Sequence, residues 1–229
     1  GGITVAPTAQ LKFASNSNVY QIEEISNSGN IEVNRETSLK RLDYAGWSSP
    51  VTNQNLLAFS PNTLTNRFYE YIPTGTTTPT AYNSVNPTTN SFATGKGYLI
   101  RAENTMPSTT TSWNGKFTGT PNNGRINPNV IYGGSVGLGF NLVGNPYPSP
   151  INIHEFIIGN LSKIDGTLHF WTNTNAALSG TYVANNFASR NLTGGTAAMN
   201  GSLIPDTFIQ TGQGFYVNAL ATGPMYFTN

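Results

Sequence analysis

The chain has 229 residues and a formal net charge of +1, with charged residues at only 9% against about 25% in ordinary soluble domains. Its few Lys and Arg are scattered, so no field gathers nucleic acid or anionic lipid headgroups. The absence of cysteine excludes a disulfide framework, a thiolate metal site and a cysteine nucleophile.

Thirty Asn and 30 Thr put neutral polar side chains on the surface. No apolar run reaches the ~20 residues of a membrane helix, and direct membrane insertion is not expected. Fourteen Pro and 24 Gly interrupt almost every window long enough for a helix. What remains is β-branched and aromatic runs between Asn, Gly, Pro and Thr clusters, which predicts an all-β fold.

The opening Gly1-Gly2-Ile3 has neither an initiator Met nor a charged leader and reads as an internal stretch of a longer chain. Ile3, Val5, Leu11, Phe13, Val19 and Ile22 fall in short alternating pieces, and another piece, residues 31–33, follows the turn-forming residues 26–30. Residues 1–38 therefore read as a short β segment, either the last coil of a β-helix, ending a repetitive β region, or an edge hairpin. The basic stretch 35–41 reads as a solvated connection.

Residues 39–229 read as one β-sandwich or jelly-roll-like module with two degenerate halves, about 43–135 and 136–229. Ser49-Pro50-Val51 recurs as Ser149-Pro150-Ile151. Arg67-Phe68-Tyr69-Glu70-Tyr71 is answered by Leu168-His169-Phe170-Trp171-Thr172, and residues 95–102 by residues 212–219. The spacing grows along the chain, which places extra loop residues in the second copy around 173–206.

The pairs Gly95/Gly97 and Gly212/Gly214 lead into Tyr98-Leu99-Ile100 and Phe215-Tyr216-Val217. Glycine before a strand admits positive φ or a bulge. A phosphate-cradling loop would open a helix instead. In residues 141–150 an apolar strand runs into Asn145-Pro146-Tyr147-Pro148-Ser149-Pro150, whose alternate prolines make a stiff exit and hold Tyr147 in place.

Trp47 and Trp171 sit in the repeated landmarks and are expected in the core. Trp113 lies in a polar stretch and is, of the three, the best candidate for an exposed ring, with packing as the alternative. Trp113 and Tyr147 are thus the candidate ligand-binding residues, with glycans as the ligand class. His154 and His169 have no carboxylate or second His at a metal-ligand spacing, and no catalytic residue is nominated. Calcium could be held only through backbone carbonyls and Asn side chains, and no other cofactor is expected.

Tyr44-Ala45-Gly46-Trp47-Ser48-Ser49-Pro50-Val51 is followed by Asn55-Leu56-Leu57-Ala58-Phe59-Ser60-Pro61, and further on by Phe117-Thr118-Gly119-Thr120-Pro121-Asn122-Asn123-Gly124. With residues 95–102, 141–150, 168–171 and 212–219, this order resembles a module of large secreted, adhesin-like proteins of Flavobacterium-like Bacteroidota, over about residues 40–229. The resemblance implies a place after β-rich repeats and before a C-terminal sorting domain for type IX secretion. It also implies an outer cell-surface or extracellular address, a part in attachment or gliding motility, neighbouring domains of the same large protein as partners, and no catalytic residues. The expected function is a non-catalytic extracellular structural or adhesive module. The alternative is a carbohydrate-binding module attached to a secreted polysaccharide-degrading enzyme.

Overall fold

The structure is a computed structural model that describes residues 1–73, 82–134, 139–175 and 184–229. In chain order the first half carries β1 (Lys12–Phe13), β2 (Ile31–Leu39), β3 (Tyr44–Trp47), α1 (Leu56–Phe59), β4 (Phe68–Tyr71), β5 (Tyr82–Ser84), β6 (Tyr98–Arg101) and β7 (Thr111–Gly119). The second half carries β8 (Asn129–Val130), β9 (Phe140–Gly144), β10 (Ile151–Asn152), α2 (Ile153–Asn160), β11 (Ile164–Trp171), β12 (Phe187–Arg190), β13 (Gly195–Thr196), β14 (Phe208–Ile209), β15 (Gly214–Ala219) and β16 (Gly223–Pro224). The protein is all-β, with two short helices among the described residues. Each helix starts where an Asn side chain caps free backbone N–H groups: Asn55 Oδ1 accepts from Ala58, and Asn152 Oδ1 from His154 and Glu155.

Two sheets repeat one strand order. The first runs β3-β6-β4-β5 and the second β9-β15-β11-β12, with β13 added at its edge. Each is accompanied by an outer antiparallel pair whose strands precede its first strand and follow its Gly-x-Gly strand: β2 with β7, and β8 with β16.

Register fixes which positions correspond. Phe68 lies opposite Ile100 and Leu168 opposite Val217, so Tyr69 answers His169 and Tyr71 answers Trp171. Matching by residue type had aligned Arg67 with Leu168, one residue out of step. A one-residue slip sends every strand side chain to the opposite face. Residues 173–206, expected as inserted loop, include β12 and β13; part of that stretch, 176–183, lies outside the described residues.

Three apolar layers result from period-2 alternation along the strands. Between the sheets lie Leu99, Leu142 and Tyr216, ringed by Tyr44, Tyr69, Tyr71, Phe140, Trp171 and Phe187. The outward face of the first sheet gives Trp47, Phe68, Tyr98 and Ile100 to a core closed by α1 and the β2–β7 pair through Leu56, Phe59, Ile31, Val33 and Phe117. The outward face of the second gives Val143, Leu168, Phe170, Phe215 and Val217 to a core closed by Tyr147, Ile153, Phe156, Ile157, Met225 and Phe227. The architecture is sandwich-like, with a cover on each outer face.

The N-terminal segment is a coil. β1 pairs with β2 in parallel, Lys12 beside Glu32 and Phe13 beside Val33, and Thr4 makes a parallel bridge to Ser28. Parallel neighbours need a crossover and cannot be joined by a tight turn, so the hairpin alternative is excluded and the coil remains.

Candidate functional site

The glycine landmarks join the halves. Gly95 and Gly212 both hold positive φ, +77° and +70°, which glycine adopts without Cβ strain. Past them, the halves bridge each other reciprocally: Trp47 to Gln213, and Val143 to Lys96. Ser48 N–H donates to Gly212 O, as Gly144 N–H donates to Gly95 O, at 2.9 and 3.1 Å. A Cβ on Gly97 would stand 2.5 Å from Val143 O, and one on Gly214 2.8 Å from Gly46 C. The motif is thus a close backbone crossing between sheets, and each copy is completed by the other half.

Of the two rings nominated for ligand binding, one is sealed in the core and the other half-buried. Tyr147 has 0% exposure, and its hydroxyl lies 2.6 Å from Gly124 O and 2.9 Å from Phe227 O. Burial raises its pKa, and the hydroxyl ties the proline turn to the C-terminal segment at Phe227. Trp113 is half-buried and packed edge-on against Trp47 and Phe59, at 5.5 and 5.4 Å between ring centroids. It lies on β7, a nine-residue strand that alternates towards the core, and its polar sequence neighbours are the residues of the opposite face.

The histidines stand apart. His154 is exposed at the start of α2, 3.3 Å from Glu155 Oε1. His169 lies edge-on to Phe140, and burial lowers its pKa. Among the described residues no group of three His, Cys, Asp or Glu side chains is placed to hold a metal ion. Several Asn side-chain oxygens, the ligand type expected for calcium, accept backbone N–H groups: Asn141 from Ile131, Asn145 from Tyr147 and Asn160 from Tyr226.

Two surfaces remain. The first is the outer edge of the coil, where β1 is the terminal strand of its sheet. The coil is pinned from within: Asn27 Oδ1 accepts from Ile3 N–H and Gln21 Nε2, while Asn27 Nδ2 donates to Pro121 O. Leu11, Tyr20, Ile22 and Ile25 nonetheless lie exposed along it, Ile22 at 81%. Gly1 O accepts from Gln21 Nε2 at 3.1 Å, and Asn229 Nδ2 donates to Gln21 O at 2.8 Å, so positions 1 and 229 meet at one residue of this coil.

The second is a groove of about 880 Å³ on the second half. One wall is α2 with the turn before it, and the other is formed by β14 and the C-terminal residues. Val19 N–H donates to Pro148 O at 2.7 Å, which lays the N-terminal segment across the proline turn and brings Asn18 and Tyr20 to the groove. Arg125 stacks on Tyr226 at 3.8 Å from the ring centroid. Sequence reading missed this site because its parts come from segments as far apart as Asn18 and Asn229 and share no motif.

These features define a class: an all-β module of two like sheets around a shared aromatic layer, extended by one parallel β-coil. The chain belongs to the family described as Domain of unknown function (DUF8693), whose model matches residues 1–229. No curated protein and no solved structure matches it.

Proposed function

We propose that the chain is a non-catalytic structural module of a large, adhesin-like extracellular or cell-surface protein, where it closes a stack of parallel β-coils and holds neighbouring segments of that protein in place. The observation that carries this reading is the coil itself. Residues 4 and 12–13 stack in parallel on residues 28 and 32–33, which is one turn of a β-coil already docked on the sandwich. Its far edge exposes backbone hydrogen-bonding groups and apolar side chains, and both are what a further parallel coil needs. On its near side, β2 continues into the nine-residue ladder with β7, so load applied to the coil passes into a long set of strand hydrogen bonds.

Export to the cell surface by the type IX route rests on the resemblance of residues 40–229 to modules of that setting. The test is an in-frame deletion of these 229 residues from the producing cell's protein. Loss of surface attachment or gliding, with hydrolytic activities in the medium unchanged, is the expected outcome. Attachment and gliding both unchanged, or loss of hydrolysis, overturns the reading.

A further inference from the structure

We infer that the groove beside α2 is a binding site for a neutral oligosaccharide. This does not rest on the coil-capping role: the N-terminal segment lends Asn18 and Tyr20 to the groove, but the open edge of β1, which that role uses, takes no part in it.

The groove's volume, about 880 Å³, lies within the roughly 300–1,000 Å³ of small-molecule sites. Its rings are open: Tyr20 is 68% and Phe208 43% exposed, on lining segments far apart in the chain. The lining also includes Asn18 and Gln210, for whose side-chain amides no hydrogen bond appears among the described residues, so donors and acceptors remain for a ligand. A pyranose offers the matching pattern, with an apolar C–H face for a ring and vicinal hydroxyls for an amide.

Charge argues for the same class. The charged groups in the lining are Arg125 and Glu155, of opposite sign, and Arg125 is already stacked on Tyr226. This balance gives no net attraction to an anionic ligand such as a uronic acid polymer. The lining mixes apolar side chains with Asn18, Asn152, Asn160 and Gln210, whereas an amphipathic helix calls for a predominantly apolar groove.

The groove offers a control that leaves the fold intact. A Cβ at Gly159, on the wall formed by α2, would meet nothing within 4 Å, so Gly159→Leu extends into open groove while improving helix propensity. The experiment is a titration of the 229-residue chain, followed by amide chemical shifts, with cellohexaose, laminarihexaose, mannohexaose and, as the anionic contrast, hexagalacturonate. Saturable binding of at least one neutral hexasaccharide is expected, with shifts centred on α2 and residues 208–210. Tyr20→Ala and Gly159→Leu should each weaken it about 10-fold or more at unchanged melting temperature, while Trp113→Ala should not change the contact surface. Three results would each overturn the assignment: no neutral hexasaccharide binding at about 1 mM, binding indifferent to both groove variants, or binding of hexagalacturonate alone. None of them bears on attachment by the coil-capping role.

Discussion

At the scale of single residues, the excess of Asn finds its use inside the molecule as well as on its surface. Asn122, Asn141, Asn145, Asn160 and Asn186 are all buried, which corrects the expectation that neutral polar side chains serve the exterior. A side-chain amide presents the same donor and acceptor as a peptide bond, so Asn can finish a backbone ladder where the chain turns away. Asn173 does this for β3, accepting from Tyr44 N–H at 3.0 Å and donating to Tyr44 O at 2.9 Å. Buried Asn145 does more: its Nδ2 lies within 3.2 Å of the carbonyls of Ser149, Ile209 and Gln210, and its Oδ1 accepts from Tyr147 N–H. Asn145→Ala should therefore cost about 1–3 kcal/mol, the penalty for leaving buried backbone groups unpaired. Urea unfolding should register this as a lower midpoint at unchanged slope.

At the scale of elements, the two Gly-x-Gly strands matter through what they lack. Each passes so close to the opposite half that backbone meets backbone, and no side chain can swing away to make room. Gly97→Ala should cost about 1–3 kcal/mol by forcing the crossing apart, whereas Gly159→Ala, in open space on a helix, should stabilise by up to about 1 kcal/mol. Thermal melts of the two variants check the contrast, and equal shifts would count against a tight seam. The motif and the following strand were legible in the sequence. The crossing was not, because Gly46 and Gly214 are 168 residues apart and only the fold brings them together.

At the scale of the whole molecule, the aromatic layer between the sheets makes the two halves one cooperative unit. Tyr71 meets Tyr216 edge-to-face at 5.5 Å, and the hydroxyls of Tyr82 and Tyr216 are 2.8 Å apart. Burial first, and the neighbouring Tyr69 next, push the Tyr44 phenol up to about 12; burial raises Tyr216 well above its ordinary value. A phenol whose folded pKa is raised holds its proton more tightly in the folded chain. The stability tied to that proton is complete below the unfolded value of about 10 and drains away as pH rises from there through about 12. Alkaline titration should therefore show a late set of tyrosines ionising together with loss of tryptophan burial and strand signal in a single transition. Early tyrosine ionisation with the fold intact, or separate transitions for the halves, would contradict this.

The sequence by itself determined the class of fold, the recurrence of its landmarks and the strands that follow its Gly-x-Gly pairs. Those properties follow from local backbone preference and period-2 patterning, which a strand carries wherever it lies. It left open whether residues 1–38 form a coil or a hairpin, and whether Tyr147 and Trp113 are held for packing or for a ligand. Exposure, pairing direction and register belong to the partner segment as much as to the strand itself. Tertiary structure alone decided that β1 runs parallel to β2, that Tyr147 is sealed behind Phe227, and that Tyr20, Arg125, Phe208 and Tyr226 share one groove. Each depends on contacts between residues far apart in the chain, and no local pattern records them.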